Sequence, residues 1–239
     1  MCFEDQWEGI DATGKIALVK RGICAVSDKL KLARAHGALA VVLYNQEPGR
    51  SISIPTLGAD NYGLLIPVGI VPLEAGRGWS EQLAAHEEVS VTLVVDAIVE
   101  SRETWNVIAE TKKGDPGAVI MLGAHLDSVQ PGPGINDDGS GTSALLEILN
   151  AIATTGIATR NRIRLAWWGA EESGLVGSLY YTGRLSPDEV DRIRFYFNYD
   201  MIGSIVPSYR VYQSNAGDSA GAVPLLQHLQ AQGKNASFG

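Results

Sequence analysis

Three short apolar runs in the second half of the chain constrain its fold more than any other feature. They cover residues 118–122, 163–168 and 195–199, and stretches with apolar residues at helical spacing lie between them. Apolar runs of this kind are typical of strands buried on both faces. Since strands that alternate with helices usually lie parallel to one another, we predict an α/β sandwich with a mainly parallel central sheet.

Other elements of this region follow from local signals. Residues 104–111 resemble a further strand, and the turn residues Lys113 to Gly117 predict a hairpin that joins it to the 118–122 strand. Ser186-Pro-Asp-Glu189 is typical of a capped helix start, with Pro at the first helical position and acids in the first turn. The remaining predicted helices begin at Gly141 or Thr142, run from Gly174 to about Arg184, and cover Ala222 to Gln232.

A smaller α/β region precedes these elements. A strand after Gly14, a helix from Ser27 to His36 and a strand from Ala38 to Tyr44 form a strand–helix–strand unit. We also predict a helix over 80–86 and an alternating edge strand over 89–95. The region therefore closes near residue 97, which divides the chain into domains 1–97 and 98–239.

Composition excludes several functional classes. The net charge of -8 argues against a nucleic-acid partner, which would need a basic face. The apolar stretch from Gly63 to Pro72 is too short and too broken by Pro and Gly to span a membrane. The N-terminus lacks the pattern of a signal peptide, and no pattern indicates an oligomeric state.

From the residues alone, Cys2 and Cys24 either form one disulfide or are unrelated thiols.

Polar side chains follow the predicted strands where ligands bind in open α/β sheets, at the carboxyl ends. None of these side chains alone would indicate a binding site, because a single histidine is usually a core residue and a Glu-Glu pair usually lies at the surface. Together they would repel one another without a cation. Zinc binds imidazole nitrogen and carboxylate oxygen, so the set predicts a zinc site. The set comprises His125, Asp137, Glu171, Glu172 and Asp200.

Neighbouring residues suggest how such a site would work. Asp127 lies two residues after His125 on the same side of an extended segment, where its carboxylate could accept the imidazole N–H. Glu171 and Glu172 would point to opposite faces of extended chain. One of them would then bind metal, and the other would be free to act as a general base toward water.

Four sequence blocks carry a family resemblance. From Gly123 onward, GAHLDS, GPGINDDGSG, WWGAEESGLVGS and NYDMIGS occur in order. The chain thereby resembles the zinc aminopeptidases of the aminopeptidase Y and secreted bacterial leucyl aminopeptidase type. The resemblance implies two zinc ions, a cis peptide between Asp137 and Asp138, and peptide substrates with a free N-terminus.

The same resemblance assigns roles to the residues. It implies that His125 and Asp200 hold one zinc, that Asp137 bridges both ions, and that Glu172 holds the second. Glu171 is then the general base, and we group Asp127 with it as catalytic.

Residues 14–45 look like the protease-associated domain that many of these enzymes carry. That likeness implies a Cys2–Cys24 disulfide and an oxidising compartment, hence an extracellular or vacuolar location. Against the family pattern the chain looks truncated at both ends. His228 lies in an amphipathic helix, where a surface or core histidine is expected rather than a second histidine ligand.

Three functions remain open at this point. The first is a two-zinc aminopeptidase that removes N-terminal residues from peptides. The second is a carboxypeptidase or glutaminyl cyclase relative on the same scaffold. The third is a catalytically incomplete fragment that acts at most as a binding module.

Overall fold

The structure is a computed structural model that describes residues 1–49, 57, 61, 63–96, 100–213 and 215–239. It divides into two compact units, Met1–Arg102 and Glu103–Gly239. The boundary predicted from the sequence, between residues 97 and 98, lies outside the described residues.

The first unit is built on a small parallel sheet. Its described strands and helices are β1 (Ile16–Lys20), α1 (Val26–Ala35), β2 (Ala40–Tyr44), β3 (Val68–Val71) and α2 (Leu73–Ala84). The strands lie in the order β1-β2-β3, and both neighbouring pairs are parallel. The predicted strand–helix–strand unit is therefore confirmed.

The N-terminal segment of this unit is packed into its core. Trp7 ends a short 3-10 helix and is buried against α1 and the sheet, together with Leu30 and Leu43. A disulfide joins Cys2 to Cys24, at the turn between β1 and α1.

Two predictions for the first unit are wrong. Helix α2 begins at Leu73 rather than near residue 80, directly after a strand that the sequence did not reveal. Residues 89–95 form no strand within the described part of the chain. Their alternation arises because Val91 and Leu93 are half-buried while Thr92 and Val94 are exposed, a pattern that an extended surface segment also produces.

The second unit contains a four-stranded sheet in the order β4-β6-β5-β7. The central strand β5 pairs in parallel with β6 and with β7, whereas β4 pairs antiparallel with β6. The fold is thus mixed α/β with mainly parallel sheets, as predicted. Its described elements are β4 (Val107–Glu110), β5 (Asp115–His125), α3 (Gly139–Thr155), β6 (Asn161–Trp168), α4 (Val176–Thr182), α5 (Pro187–Arg192), β7 (Ile193–Asn198), β8 (Tyr209–Val211), α6 (Ser219–Ala231) and β9 (Ala236–Phe238).

The predicted hairpin between β4 and β5 is wrong. Strand β4 pairs instead with β6, with Val107 opposite Trp167. The Glu110 carboxylate accepts hydrogen bonds from Arg162 at 3.2 Å and from Arg164 at 2.6 Å, both on β6. A local turn signal cannot report this choice, because the partner strand lies about fifty residues further along the chain.

Helices cover both faces of this sheet. On one face Leu122, Leu165 and Trp167 pack against Leu145 of α3. On the other face a second cluster contains Met121, Ala166 and Trp168, packed against Tyr181 of α4 and Ile193. Burial on both faces explains why β5 and β6 contain largely apolar runs, whereas the run in β7 lies on a partly exposed edge strand.

Two further features concern the helices. The start of α5 has the predicted cap, with Pro187 at its first position and a capping box between Ser186 and Glu189. Across the described ranges, no helix has both the length and the apolar character needed to cross a membrane.

Candidate metal centre

The candidate residues meet at one edge of the four-stranded sheet. His125 is the last residue of β5, Asp200 follows β7 by two residues, and Glu171 and Glu172 follow β6 closely. Asp137 lies just before α3. Since β6, β5 and β7 are adjacent and parallel, their carboxyl ends bring these side chains together.

The His125 ring is fixed on one side and open on the other. The side chain is only 2% exposed. Its Nδ1 lies 2.9 Å from the main-chain oxygen of Asp127. Because that oxygen can only accept, Nδ1 carries the proton and Nε2 is left with a lone pair. Thr142 further fixes the residue by donating to the His125 carbonyl at 2.6 Å.

The free imidazole nitrogen faces three carboxylates. His125 Nε2 lies 3.0 Å from Asp137 Oδ1, 3.8 Å from Asp200 Oδ2 and 3.9 Å from Glu171 Oε2. Nevertheless, among the described residues this buried nitrogen has no hydrogen-bond partner of acceptable geometry. A buried acceptor beside carboxylate oxygens is a set of donors suited to a metal cation.

Two overlapping groups of side chains could hold a metal ion. In each group the ligand atoms all lie within 4.8 Å of one another. The first contains His125, Asp137 and Glu172, and the second contains His125, Asp138 and Asp200. His125 is common to both, so the residues predicted as metal ligands are gathered around one imidazole.

Glu171 and Glu172 lie in a turn, which corrects the extended segment assumed from the sequence. Ala170, just before them, adopts a left-handed conformation with φ of 53°. The main-chain N–H groups of Glu171 and Glu172 donate to the two Asp127 carboxylate oxygens, at 2.8 and 3.1 Å. Asp127 therefore fixes the glutamate turn with its carboxylate, which lies 3.7 Å from His125 Nδ1. Contrary to the prediction, its main-chain carbonyl orients the ring.

Burial and mutual repulsion shift the acid–base properties of the cluster. Burial raises the pKa of Glu171, and the charges of Glu172, Asp200 and Asp127 raise it further against the opposing effect of His125. Burial is also the main cause of the raised pKa values of Glu172 and Asp200, with nearby carboxylates adding to it. For His125, burial lowers the pKa, but Glu171, Asp138 and Asp200 outweigh it and leave the pKa raised. The cluster thus carries more negative charge than its environment favours.

Asp138 is the site residue that sequence reasoning missed. The peptide bond between Asp137 and Asp138 is cis, as the resemblance implied. Asp138 is 1% exposed and caps α3 by accepting from the main-chain N–H of Gly141. Its position before a helix in a glycine-rich block signals an N-cap, but nothing local signals its contact with His125.

The remaining histidines of the sequence lie in other settings. His36 stacks on Trp7 and its Nε2 lies 2.9 Å from Glu4 in the first unit. His228 is exposed on α6, consistent with the surface reading of that helix.

Comparison with known proteins identifies both units. The model of peptidase family M28 matches residues 106–237, and the PA domain model matches residues 1–79. An aminopeptidase of Pseudomonas aeruginosa is 42% identical over 208 residues, covering 86% of this chain and 38% of that protein. Aminopeptidase Y of Saccharomyces cerevisiae is 42% identical over 216 residues, covering 90% of this chain and 40% of that protein. The chain thus spans about two fifths of the length of these relatives.

Solved structures give the same assignment. An aminopeptidase from Aneurinibacillus sp. strain AM-1 superposes with a TM-score of 0.78 at 29% identity, covering 99% of this chain and 63% of that one. A zinc aminopeptidase from Bacillus subtilis superposes with a TM-score of 0.65 at 27% identity, covering all of this chain and 58% of that one. With 132 of its 239 residues matched by the family model, the chain belongs to peptidase family M28.

Proposed function

We propose that the protein containing this chain is a two-zinc aminopeptidase. In this proposal His125 and Asp200 would hold one zinc, Glu172 would hold the second, and Asp137 would serve as a ligand to both. The observation that carries it is the buried His125 Nε2, without a hydrogen-bond partner in the described residues and 3.0 Å from Asp137. Because the chain spans 38% to 40% of its relatives' lengths, the activity of the whole protein is part of the proposal.

The donor set fits zinc on chemical grounds. It consists of one imidazole nitrogen and carboxylate oxygens, which zinc accepts in catalytic sites. When bound, zinc would polarise the scissile carbonyl and lower the pKa of water at the site. The raised pKa values of Glu171, Glu172 and Asp200 support a cation at this place, because positive charge would offset their repulsion.

Glu171 suits the role of general base. Its carboxylate lies 3.9 Å from His125 Nε2, yet among the described residues it is absent from both candidate metal-holding groups. It can therefore take a proton from the attacking water and pass it to the leaving amine. Asp127 supports this role by holding the main-chain N–H groups of Glu171 and Glu172.

Peptides with a free N-terminus are the proposed substrates. The relatives from Pseudomonas aeruginosa and Saccharomyces cerevisiae are both named aminopeptidases, which favours this reading over a carboxypeptidase or glutaminyl cyclase. Hydrolysis of leucine anilide and of N-acetyl-leucine anilide tests it. We expect cleavage of the free amine only; equal cleavage of the blocked substrate would exclude an aminopeptidase.

The role of Glu171 is tested by Glu171→Gln in the longest natural protein that contains these residues. We expect kcat to fall by about 10²- to 10⁴-fold, since a general base contributes on that order, with zinc content unchanged. Glu147→Gln, on the exposed face of α3, is the matched control and should retain activity. Retained activity in Glu171→Gln would refute the assignment, whereas loss of zinc would make Glu171 a ligand.

Metal analysis separates the enzyme from a catalytically incomplete product. We expect two zinc ions per protein after dialysis against zinc and removal of excess. An inert protein that holds no zinc would support a binding module instead.

The first unit is proposed to be a protease-associated domain, with the boundary to the peptidase domain at residues 97–98. Its Cys2–Cys24 disulfide supports folding in an oxidising compartment, hence an extracellular or vacuolar location. Thiol labelling of the native protein before and after reduction tests this: two cysteines that label only after reduction support it. Free thiols in protein isolated from its source would contradict it.

A further inference from the structure

The Asp138 carboxylate is buried beneath the candidate metal centre and faces main-chain donors. Its Oδ2 accepts from the N–H of His125 at 3.0 Å, and its Oδ1 accepts from the N–H of Gly141 at 3.0 Å. The main-chain N–H of Met201 also acts on this carboxylate and lowers its pKa. With 1% of the residue exposed, water cannot replace these donors.

Each donor belongs to a segment that carries a candidate ligand. The His125 N–H belongs to the ligand's own residue at the end of β5. Gly141 lies in the first turn of α3, which begins two residues after Asp137, and Met201 directly follows Asp200. Asp138 itself is bonded to Asp137. One side chain therefore connects the main chain at His125, Asp137 and Asp200.

The same contacts leave Asp138 poorly suited to bind metal directly. Each of the two carboxylate oxygens of Asp138 already accepts a hydrogen bond from a main-chain N–H, that of His125 or that of Gly141. Coordination would have to displace such a bond from a buried N–H, which costs free energy when no water can replace it. Asp138 lies close enough to His125 and Asp200 to form a possible metal-holding group with them. Its hydrogen bonds to the main chain account for that position without a metal.

A second side chain connects two of the same segments. Asn136 Oδ1 accepts from the N–H of Gly203 at 3.0 Å, and its Nδ2 donates to Ser204 Oγ at 3.2 Å. Asn136, directly before Asp137, therefore joins the loop before α3 to the turn after Asp200.

We propose that Asp138 is a positioning residue that sets the separations among His125, Asp137 and Asp200 through main-chain hydrogen bonds, and is not itself a metal ligand. This inference rests on the proposed metal centre. It assigns Asp138 a part in the affinity of the site for zinc, through the placement of three other side chains.

Asp138→Asn is the most informative substitution, because asparagine has nearly the same shape. One carboxylate oxygen becomes an NH₂ group, which cannot accept from the N–H it would face. At least one of the three segments should then move away from the others. Since residues that orient metal ligands typically contribute 10- to 100-fold to affinity, we expect the zinc Kd to rise by about that factor at unchanged stoichiometry.

Zinc binding is measured by chelator competition, well below the unfolding temperature. The visible absorption of the Co²⁺-loaded protein reports ligand geometry without activity, and should change in Asp138→Asn. Ser186→Ala is the matched control, because Ser186 caps α5 rather than α3 and accepts from Glu189 N–H. It should lower the melting temperature and leave the zinc Kd and the Co²⁺ spectrum unchanged.

The outcomes distinguish the inference from the proposed function. A zinc Kd and Co²⁺ spectrum in Asp138→Asn equal to those of the unsubstituted protein would overturn the inference alone. Loss of one metal equivalent would also overturn it, since Asp138 would then be a ligand. Failure of the unsubstituted protein to bind zinc would refute the proposed function and this inference with it.

Hydrogen exchange decides the matter if Asp138→Asn does not fold. In the unsubstituted protein, the amides of His125 and Gly141 should remain protected both without and with zinc. Loss of their protection on zinc addition would overturn the inference, because it would mean that the carboxylate turns toward the metal.

Discussion

Replacing Gly141 by alanine should damage both the stability of the peptidase unit and its metal centre. An added Cβ would lie 1.9 Å from the main-chain oxygen of Tyr199 and 2.6 Å from Asp138 Oδ1. Since real Cβ contacts essentially never fall below 3.0 Å, α3 and the chain after β7 must separate by about 1.1 Å. The Tyr199 oxygen belongs to the main chain and Asp138 Oδ1 is held by a hydrogen bond, so neither atom can move aside easily. We therefore expect the free energy of unfolding to fall by an amount near the upper end of the roughly 1–3 kcal/mol typical of overpacking.

The same displacement separates Asp137, which lies just before α3, from Asp200, which directly follows Tyr199. A misplacement of about 1 Å can lower an enzyme's rate by roughly 100-fold, so we expect weaker zinc binding and lower kcat together. Denaturant unfolding, zinc competition and leucine anilide hydrolysis measure the three effects.

Gly78→Ala provides a matched control for that substitution. Gly78 lies within α2, and its added Cβ would meet nothing within 4 Å. Alanine should therefore stabilise the protein by about 0.5–1 kcal/mol, because glycine is unfavourable inside a helix. The reasoning would be refuted if Gly141→Ala had the same stability and zinc affinity as the unsubstituted protein. Such a result would mean that α3 and the chain at Tyr199 can accommodate the added Cβ.

Three further predictions test the packing and electrostatics. The pKa of Glu171 is raised in the folded protein, so the unfolded chain ionises this group more readily. The free energy of unfolding therefore falls as the pH rises from the ordinary glutamate pKa through the raised one. Glu171→Gln should thus stabilise the zinc-free protein at pH 8 but not at pH 4, and an equal effect at both pH values would contradict this. In Asp127→Asn, the new NH₂ group would face the N–H of Glu171 or Glu172, and neither can accept the other's hydrogen. Denaturant titration should show that the free energy of unfolding falls by about 1–3 kcal/mol. Leu145→Ala should lower the free energy of unfolding by about 2–5 kcal/mol, because Leu145 is fully buried. Leu146→Ala should lower it by less than about 0.5 kcal/mol, because Leu146 is 60% exposed. Equal losses in the two variants would show that α3 packs with a different face toward the sheet.

The sequence predicts well where burial is continuous along the chain. The runs at 118–122 and 163–168 fall within β5 and β6, because strands covered on both faces need apolar residues at most positions. The run at 195–199 overlaps β7, although that edge strand is partly exposed. Alternation is less informative. Residues 89–95 alternate in burial but form no strand in the described chain, since a surface segment also buries every second side chain.

Strand pairing shows a different limit. The turn at 113–117 suggested a hairpin, but β4 lies beside β6, where Glu110 meets Arg162 and Arg164. Which strand becomes a neighbour depends on interactions across about fifty residues, and local turn chemistry does not contain that information.

Most members of the candidate site could be predicted from the sequence, with Asp138 as the exception, but their contacts could not. The order of strands and glycine-rich turns was enough to place His125, Asp137, Glu171, Glu172 and Asp200 at one sheet edge, because parallel strands share their carboxyl ends. The contacts of Asp127 were not predictable. Its carboxylate holds a turn that lies forty-four residues away and that the sequence read as extended.

By itself, the sequence determined that this chain is α/β, that its sheets are mainly parallel, and which side chains gather at their ends. Those properties follow from local periodicity and from composition. Only the tertiary structure decided which atom orients His125, how Glu171 is separated from Glu172, and that Asp138 connects three segments. These features depend on main-chain donors and acceptors that folding brings together, and every residue type carries the same main-chain carbonyl and, except proline, the same N–H.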